Sequence, residues 1–183
     1  MTFESGDSLT TCAGARDDTG VVKIRTATIE DAPLLASLGA NVQRLHHEKR
    51  PDWFKPVDET TTVDWYREML MNPAAAIYLA EDADEAIGFV IAVVYQRLDT
   101  PFGRAQTVLE VDQIGVAPSQ RRRGVGRALF KAVRELANQV SAERITLTTW
   151  SFNVEAHRFF EAEGLAPELH RMTMPWPALK KPD

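Results

Sequence analysis

One segment of the sequence limits the possible folds more than any other: residues 108–129, VLEVDQIGVAPSQRRRGVGRAL. Alternating apolar residues predict a strand that ends at Val116, and Pro118 and Ser119 then turn the chain. Three arginines lead into residues 124–126, where an amphipathic helix begins. Glycines at a helix start let a ligand reach backbone N–H groups without a partner inside the helix, and the helix dipole favours negative charge there. The segment therefore predicts a pyrophosphate site.

Three known glycine patterns can be compared with this loop. A Walker loop requires Lys-Ser or Lys-Thr after its glycine, but Arg-Ala follows Gly126. A dinucleotide-binding fingerprint requires a third glycine at the position of Leu129. The pattern [RQ]xxGx[GA] fits, with Arg121, Gly124 and Gly126. The alternative to any ligand site is a tight turn followed by a solvent-exposed basic face.

Charge is distributed unevenly along the chain. Residues 120–144 contain seven Lys or Arg and two Glu and therefore carry +5, whereas the whole chain carries −5. Nucleic-acid-binding proteins are usually basic over a whole face, so this patch favours a small polyanion and no nucleic acid. One cysteine, Cys12, and the lack of any long apolar stretch predict no disulfide framework and no membrane segment. We expect a cytoplasmic protein.

The hydrophobic periodicity predicts one mixed domain of strands and helices at residues 21–177, with a mobile tail at residues 1–20 and a second tail at residues 178–183. The predicted strands cover residues 21–25, 77–81, 86–95, 105–116, 144–149 and 169–174. The predicted helices cover residues 28–47, 61–71, 124–140 and 154–163.

Three stretches of the sequence resemble the GNAT (Gcn5-related N-acetyltransferase) superfamily. RRRGVG resembles its acetyl-coenzyme A (acetyl-CoA) motif, and VKIRTATIEDAPLLASL resembles its opening strand and helix. ITLTTWSFNVEAHRFFEAEGL resembles the family's NxxAxxFYexxGF, with matches at Asn153, Ala156, Phe159 and Gly164. The resemblance implies an α/β (α+β) GNAT fold, with a mixed, mostly antiparallel sheet of six or seven strands that splays in the middle and is flanked by helices.

The resemblance also implies acetyl-CoA as co-substrate in the splay, without a metal. Its pantetheine would pair with the end of the central strand, and its pyrophosphate would bind the glycine loop. The expected contacts are Ile114, Gly115, Val116, Arg121, Arg122, Arg123, Gly124, Val125, Gly126, Arg127, Asn153 and Phe160. Phe160 stands where the family usually has tyrosine, and phenylalanine cannot protonate the leaving thiolate.

The implied reaction moves an acetyl group from a thioester to an amine, which needs a base and a donor to the oxyanion. Glu110 and Asp112 precede the splay, and strand alternation places both on the face of Ile114 unless a bulge intervenes. Glu110 is preferred as base because it lies six residues before Val116, like the base of the histone-acetylating branch. The alternative is a solvent-facing pair without a catalytic role. A backbone N–H at Ile114 or Gly115 would stabilise the oxyanion.

The family's acceptor site usually lies at the first two helices and the loop between them. The expected acceptor contacts in and around that region are Glu48, Asp52, Trp53 and Tyr95. Acidic residues there favour a small cationic amine such as a polyamine or an aminoglycoside. A peptide acceptor, at a protein N-terminus or a lysine, stays open, as do a non-catalytic acyl-CoA-binding module and a homodimer. The adjacent His46 and His47 point in different directions on a helix, and no metal site is expected.

Overall fold

A computed structural model describes residues 22–174, which divide into two compact units, residues 22–148 and residues 149–174. The predicted tails at residues 1–20 and 178–183 lie outside the described residues, and the predicted domain limits at residues 21 and 177 stay predictions. Within residues 22–174, no helix combines the length and the apolar character that crossing a bilayer requires.

In the first unit, five strands form one sheet in the order β1-β2-β3-β4-β5. The strands are β1 (Lys23–Thr26), β2 (Ala75–Asp82), β3 (Glu85–Arg97), β4 (Gln106–Val116) and β5 (Arg144–Leu147). The helices of this unit are α1 (Ala32–Lys49), α2 (Glu59–Met71) and α3 (Val125–Gln139), and α4 (Val154–Ala162) belongs to the second unit. Strands β1 to β4 are antiparallel, and β5 runs parallel to β4.

The mixed, mostly antiparallel sheet is confirmed, but the described residues contain five strands rather than six or seven. The predicted strand at residues 169–174 has no regular secondary structure. Leu169, Met172 and Met174 are all exposed, so no burial of an apolar face stabilises an extended segment there.

Side-chain hydrogen bonds shape the chain before α1 and fix where α2 begins. Asp31, just before α1, accepts a hydrogen bond from the Thr28 N–H at 2.7 Å. Asp58 caps α2, because its Oδ1 accepts from the N–H groups of Thr60 at 3.0 Å and Thr61 at 3.4 Å. The cap explains why α2 begins at residue 59 rather than at the predicted residue 61.

The sheet has two apolar faces. Phe89 and Ile91 of β3 belong to a buried cluster with residues of α1 and α2. On the other face, a Cβ built on Gly88 would lie 3.2 Å from Val125 and 3.3 Å from Leu129, both on α3. Paired residues in an antiparallel ladder share a face, so the register assigns each paired residue of β4 to one of the two faces.

Candidate active site

Strand β4 has a neighbour on both sides over only part of its length. Strand β5 pairs with residues 108–111, whereas β3 pairs with β4 as far as Val116. Within residues 22–148, no strand flanks residues 112–116 on the β5 side. We call residues 112–116 the open half of β4 and residues 106–111 the closed half. The backbone along an open edge can pair with an extended ligand.

The open half contains the predicted pantetheine contacts Ile114, Gly115 and Val116. It also lies beside the start of α3. A Cβ built on Gly88 of β3 would be 2.9 Å from the Gly115 carbonyl oxygen and 3.2 Å from Val125 Cγ1. The close approach that glycine permits here brings the open strand edge and the helix start together.

The loop before α3 has two residues in the left-handed region, Arg122 (φ 63°) and Gly124 (φ 83°). That conformation is unfavourable for arginine, and such strain is typical of functional loops. Gly124 is the N-cap of α3, and no side chain caps this helix start. A Cβ built on Gly124 would meet nothing within 4 Å. The first N–H groups of α3 therefore begin beside open space, as an anion site requires.

Four of the predicted pyrophosphate contacts carry a positive charge and an exposed side chain: Arg121, Arg122, Arg123 and Arg127. Arg123 Nη1 donates a hydrogen bond to Gln120 Oε1 at 2.5 Å, which fixes it on the short helical turn at Pro118–Gln120. These charges lie on both sides of the positive end of the α3 dipole, so their potentials add at the helix start.

A β-bulge in β4 lies at the boundary between the two halves. Ile91 pairs with Gln113, but the next residue of β3, Ala92, pairs with Val111. Asp112 is therefore the extra residue of the bulge. Bulges occur often beside active sites, where they redirect a side chain.

The bulge changes the alternation expected for the candidate bases. Glu110 pairs with Val93, which packs against the cluster of α1 and α2. Ile114 pairs with Val90, which alternation places on the α3 face. Glu110 and Ile114 therefore lie on opposite faces, because one extra residue inverts the alternation beyond it. The expectation that both carboxylates share the face of Ile114 fails for this reason.

Asp112 combines an exposed side chain with a perturbed carboxyl group. Desolvation by the surrounding protein raises the pKa of Asp112 above its ordinary value. Burial raises the pKa of the Tyr66 hydroxyl, and the charge of Asp112 raises it further. Asp112 therefore lies within electrostatic reach of Tyr66 on α2. A carboxylate with a raised pKa is a stronger proton acceptor.

Three residues that received no site role from the sequence lie next to Asp112 or to its neighbours: Tyr66, Gln113 and Gly39. The Tyr66 hydroxyl donates a hydrogen bond to Gln113 Oε1 at 2.9 Å. A Cβ built on Gly39 of α1 would lie only 2.0 Å from that hydroxyl oxygen. The signal in the sequence was Gln113 itself, because the side-chain amide of a glutamine inside a central strand needs a hydrogen-bond partner.

Helix α1 reaches the open half of β4 as well. A Cβ built on Gly115 would lie 2.7 Å from Phe89 Cε1 and 3.2 Å from Val42 Cγ2. Glycine at position 115 therefore allows α1 and β4 to approach closely. His46, on the next turn of α1, stacks on Phe54 with ring centroids 4.8 Å apart.

Two hydrogen bonds tie the loop after α1 back to the helix. The His47 Nδ1–H donates to the Phe54 carbonyl oxygen at 2.8 Å. The Gln43 side chain donates to the Lys55 carbonyl oxygen at 2.7 Å. Together with the stacking of His46 on Phe54, these contacts hold the predicted acceptor loop in one conformation.

The predicted acceptor contacts come from three parts of the chain: α1, the loop after it and β3. Trp53 is 60% exposed, and the neighbouring Phe54 ring stacks on His46 of α1. Asp52 pairs with Arg50 at 2.8 Å, which lowers the pKa of Asp52. Glu48 is exposed near the end of α1, and Tyr95 lies opposite the closed half of β4. Their role in acceptor binding stays a prediction.

The second unit contains the other two predicted acetyl-CoA contacts. Asn153 caps α4, since its Oδ1 accepts from the Ala156 N–H at 3.3 Å. Phe160 is buried, and its ring lies 5.1 Å from that of Phe159. Gly164 ends the helix with φ 89°, which confirms the predicted stop. The cap gives Asn153 a structural role, and its contact with acetyl-CoA stays a prediction.

Among residues 22–174, no three or more His, Cys, Asp and Glu side chains are grouped so that they can hold a metal ion.

The model of the acetyltransferase (GNAT) family matches residues 42–165. An "uncharacterized N-acetyltransferase in pepI 3'region" of Lactobacillus delbrueckii subsp. lactis is 25% identical over 118 residues, which cover 62% of this chain. The match spans 65% of that relative's length.

Solved structures share the fold. A tetramutant of the BH1408 protein from Bacillus halodurans gives a TM-score of 0.79 at 22% identity and covers 83% of this chain and 98% of its own. The aminoglycoside N-acetyltransferase AAC(6')-Iy in complex with CoA gives 0.69 at 18% identity, with coverages of 93% and 100%. Because the family model also matches more than half of its residues, the chain belongs to the GNAT family of acetyltransferases.

Proposed function

We propose that the protein is an acetyl-CoA-dependent N-acetyltransferase that transfers the acetyl group directly to a primary amine of a small cationic molecule. One observation carries the proposal. The open half of β4 ends next to a helix start that has no side-chain cap and that has arginines before and after it in the sequence. An open strand edge followed by an anion-binding helix start suits a ligand with an extended chain of amides that ends in a pyrophosphate. The pantetheine arm of acetyl-CoA is such a chain.

The residues present fit acetyl-CoA at both ends of this arm. The backbone of Ile114, Gly115 and Val116 would pair with the pantetheine amides as an added strand does. The first N–H groups of α3, from Val125 onwards, would bind the pyrophosphate, and the arginines would balance its charge. By family resemblance, Asn153 would contact the pantetheine arm, and Phe160 is a further expected contact of acetyl-CoA. The empty space beside Gly124 is what a phosphate needs for close approach.

Asp112 is the base in this proposal. An alkylammonium group with a pKa of about 10.4 must lose a proton to attack, which costs about 4.6 kcal/mol at pH 7. Asp112 is exposed at the boundary of the open half, and its raised pKa suits it to accept that proton directly or through water. Glu110 lies in the closed half, one step further from the open edge, and is the second candidate.

The remaining steps need a donor to the oxyanion and a proton for the thiolate. A backbone N–H at Ile114 or Gly115 would donate to the oxyanion. Phe160 supplies no proton, but a thiol with a pKa of about 8.5 leaves as thiolate at pH 7 at a cost of only about 2 kcal/mol. The thiolate would then take its proton from water or from another hydroxyl group.

The charge of the protein supports a cationic acceptor. The chain carries −5 in total while residues 120–144 carry +5, so the rest of the surface attracts cations. Asp112 and Glu48 add local negative charge near α1, whereas Asp52 contributes less because Arg50 neutralises it. The aminoglycoside N-acetyltransferase AAC(6')-Iy shares the fold, and aminoglycosides are polycationic amines.

The first experiment measures thiol release from acetyl-CoA with polyamines, aminoglycosides, amino acids and short peptides. Release with the polycationic amines is expected. Release with peptides alone would favour a protein acceptor. Silence with every amine, while acetyl-CoA still raises the melting temperature, would indicate a non-catalytic acyl-CoA-binding module.

The second experiment tests the cofactor site itself. Gly126→Trp places a large side chain at the start of α3, so the dissociation constant for acetyl-CoA should rise at least about 100-fold, or about 3 kcal/mol. Asn138→Trp, exposed near the other end of the same helix, is the matched control and should bind normally. Unchanged binding in folded Gly126→Trp would overturn the pyrophosphate assignment.

A further inference from the structure

A part-buried hydrogen bond connects α2 with β4 next to its bulge. Tyr66 is 2% exposed, and its hydroxyl donates to Gln113 Oε1 at 2.9 Å. Its ring meets Phe89 of β3 edge-on, with centroids 6.0 Å apart. The phenol is thus held by an apolar contact on its ring and by one polar contact at its tip.

Helix α1 closes the other side of this hydroxyl. A Cβ built on Gly39 would lie 2.0 Å from the Tyr66 oxygen and 3.0 Å from its Cζ. The oxygen therefore sits against the bare backbone of α1, between Gly39 and Gln113. It cannot move toward α1, and the hydrogen bond to Gln113 has one defined geometry.

Gln113 is the residue directly after the extra residue of the bulge, Asp112. A bulge interrupts the ladder and leaves its extra residue unpaired, so the ladder alone does not fix the direction of the Asp112 side chain. A side-chain bond on the adjacent residue supplies the missing restraint. The charge of Asp112 also reaches the Tyr66 hydroxyl, so these two side chains are near each other.

We propose that Tyr66 is a positioning residue: by holding Gln113, it fixes the bulge that presents Asp112 at the open half of β4. The inference rests on the proposed function, in which Asp112 is the base. It goes beyond that function because Tyr66 touches no reacting atom. Tyr66 is also not the missing proton donor, because its proton is committed to Gln113 and burial raises its pKa.

The hydroxyl, and not the ring, is the part that matters for this role. Phenylalanine at position 66 would keep the contact with Phe89 and would leave Gln113 without its partner. A buried polar contact inside an apolar cluster specifies a geometry more than it adds stability. Removing the hydroxyl should therefore change the bulge while the fold survives.

The first test reads the bulge directly by NMR titration of the side-chain carboxyl carbons. In Tyr66→Phe, the pKa of Asp112 should fall toward its ordinary value because the released bulge exposes the carboxylate to water. The Gln113 side-chain amide resonances should shift, and the pKa of Asp31 should not change. Tyr78→Phe is the matched control, since the partner of Tyr78 in the ladder is Val90, on the α3 face.

An unchanged Asp112 pKa in folded Tyr66→Phe would overturn the inference. If Tyr66→Phe did not fold, Tyr66→Phe/Gln113→Leu would replace both polar partners with apolar groups and avoid an unsatisfied glutamine. The same shift in Asp112 is expected in that double variant, and its absence would contradict the positioning role.

The second test is a kinetic cycle with acetyl-CoA and spermidine. Tyr66→Phe should lower kcat by about 10- to 100-fold, with KM for both substrates nearly unchanged, because a misplaced base loses rate rather than affinity. In the Asp112→Asn background, the same change should have no further effect on kcat, since the group it positions is already lost.

The outcomes separate the two claims. An unaffected kcat in Asp112→Asn would remove Asp112 as base and, with it, the positioning role. Loss of rate in Asp112→Asn with independent, multiplicative effects of the two changes would leave the proposed function standing and overturn the inference. Lack of turnover with spermidine would contradict the acceptor class, and the carboxyl titration would then decide the role of Tyr66.

Discussion

The closed and open halves of β4 share one strand and one neighbour, β3, but differ in what lies on their other side. The closed half pairs with β5, and Val108, Leu109 and Val111 are buried in it. The open half has no strand on that side within residues 22–148, and Asp112 is exposed in it. Backbone N–H and C=O groups that bond to a neighbouring strand are not available to a ligand. Only the open half can therefore bind a ligand through the backbone groups on that side.

The largest effect is expected from Leu109→Ala in the closed half, which should lower stability without lowering acetyl-CoA affinity. Leu109 is 0% exposed, so its truncation should lower the free energy of unfolding by about 2–5 kcal/mol. Urea unfolding measures this loss, and the dissociation constant for acetyl-CoA should stay unchanged in calorimetry. A clear loss of acetyl-CoA affinity in a folded Leu109→Ala protein would break the division between a structural and a ligand-binding half.

The next largest effect is expected at Asp31, a carboxylate whose role is structural, in contrast to that of Asp112. Arg25 donates to both oxygens of Asp31, at 2.7 and 2.9 Å, and these bonds are the main cause that lowers the pKa of Asp31 from 3.8 to about 2. The lowered pKa means that Asp31 stabilises the fold fully above pH 3.8, by about 2 kcal/mol.

Asp31→Asn should lose this stabilisation at pH 7, while the difference from the natural protein should shrink as the pH falls toward 2. Urea unfolding at both pH values provides the measurement. A difference that stays constant with pH would mean that the stabilisation does not come from the charge of Asp31.

A smaller effect concerns the restraint on the boundary between the halves. Gly39→Ala would place its Cβ 2.0 Å from the Tyr66 oxygen. Overpacking costs about 1–3 kcal/mol, and the higher helix propensity of alanine stabilises the helix by about 1 kcal/mol, so a net loss of up to about 2 kcal/mol is expected. In the Tyr66→Phe background the nearest clashing atom is absent, so Gly39→Ala should cost less there. Equal cost in both backgrounds, measured by thermal unfolding, would contradict the contact.

The smallest effect is expected from Asp112→Asn, which should raise stability where Asp31→Asn lowers it. Desolvation raises the pKa of Asp112, so the folded state binds its proton more tightly than the unfolded state and is less stable once the group ionises. Asp112→Asn should therefore raise the melting temperature slightly at pH 7, with no gain below the ordinary carboxyl pKa of about 3.9. A melting temperature lowered at pH 7 would show that the Asp112 carboxylate stabilises the fold.

The order of elements could be predicted from the sequence because each element carries its own period. The apolar spacing of α3 and the alternation of β3 are local signals, and their ends were predicted to within two residues. The glycine loop was equally readable, since Gly124 and its arginines are contiguous. These features depend on neighbours in the chain and on little else.

The bulge and its restraint could not be predicted in the same way. Alternation is the only face signal in a strand, and the extra residue at Asp112 is visible only when the register with β3 is known. Tyr66 and Gln113 are 47 residues apart, and their contact depends on how α2 crosses the sheet. The choice between Glu110 and Asp112 therefore changed once the register was known.

The open half of β4 also has a consequence for how the protein behaves without its ligand. An unpaired strand edge is a template on which a second chain can add a strand, and proteins usually protect such edges with charges, bulges or covering segments. Within residues 22–148, the bulge at Asp112 protects the beginning of this edge, and no strand pairs with the rest of it. A bound pantetheine arm would cover the rest of the edge. Bound acetyl-CoA would therefore prevent a second chain from adding a strand there. We expect light scattering at raised temperature to show slower aggregation with acetyl-CoA present, and less so with Gly126→Trp.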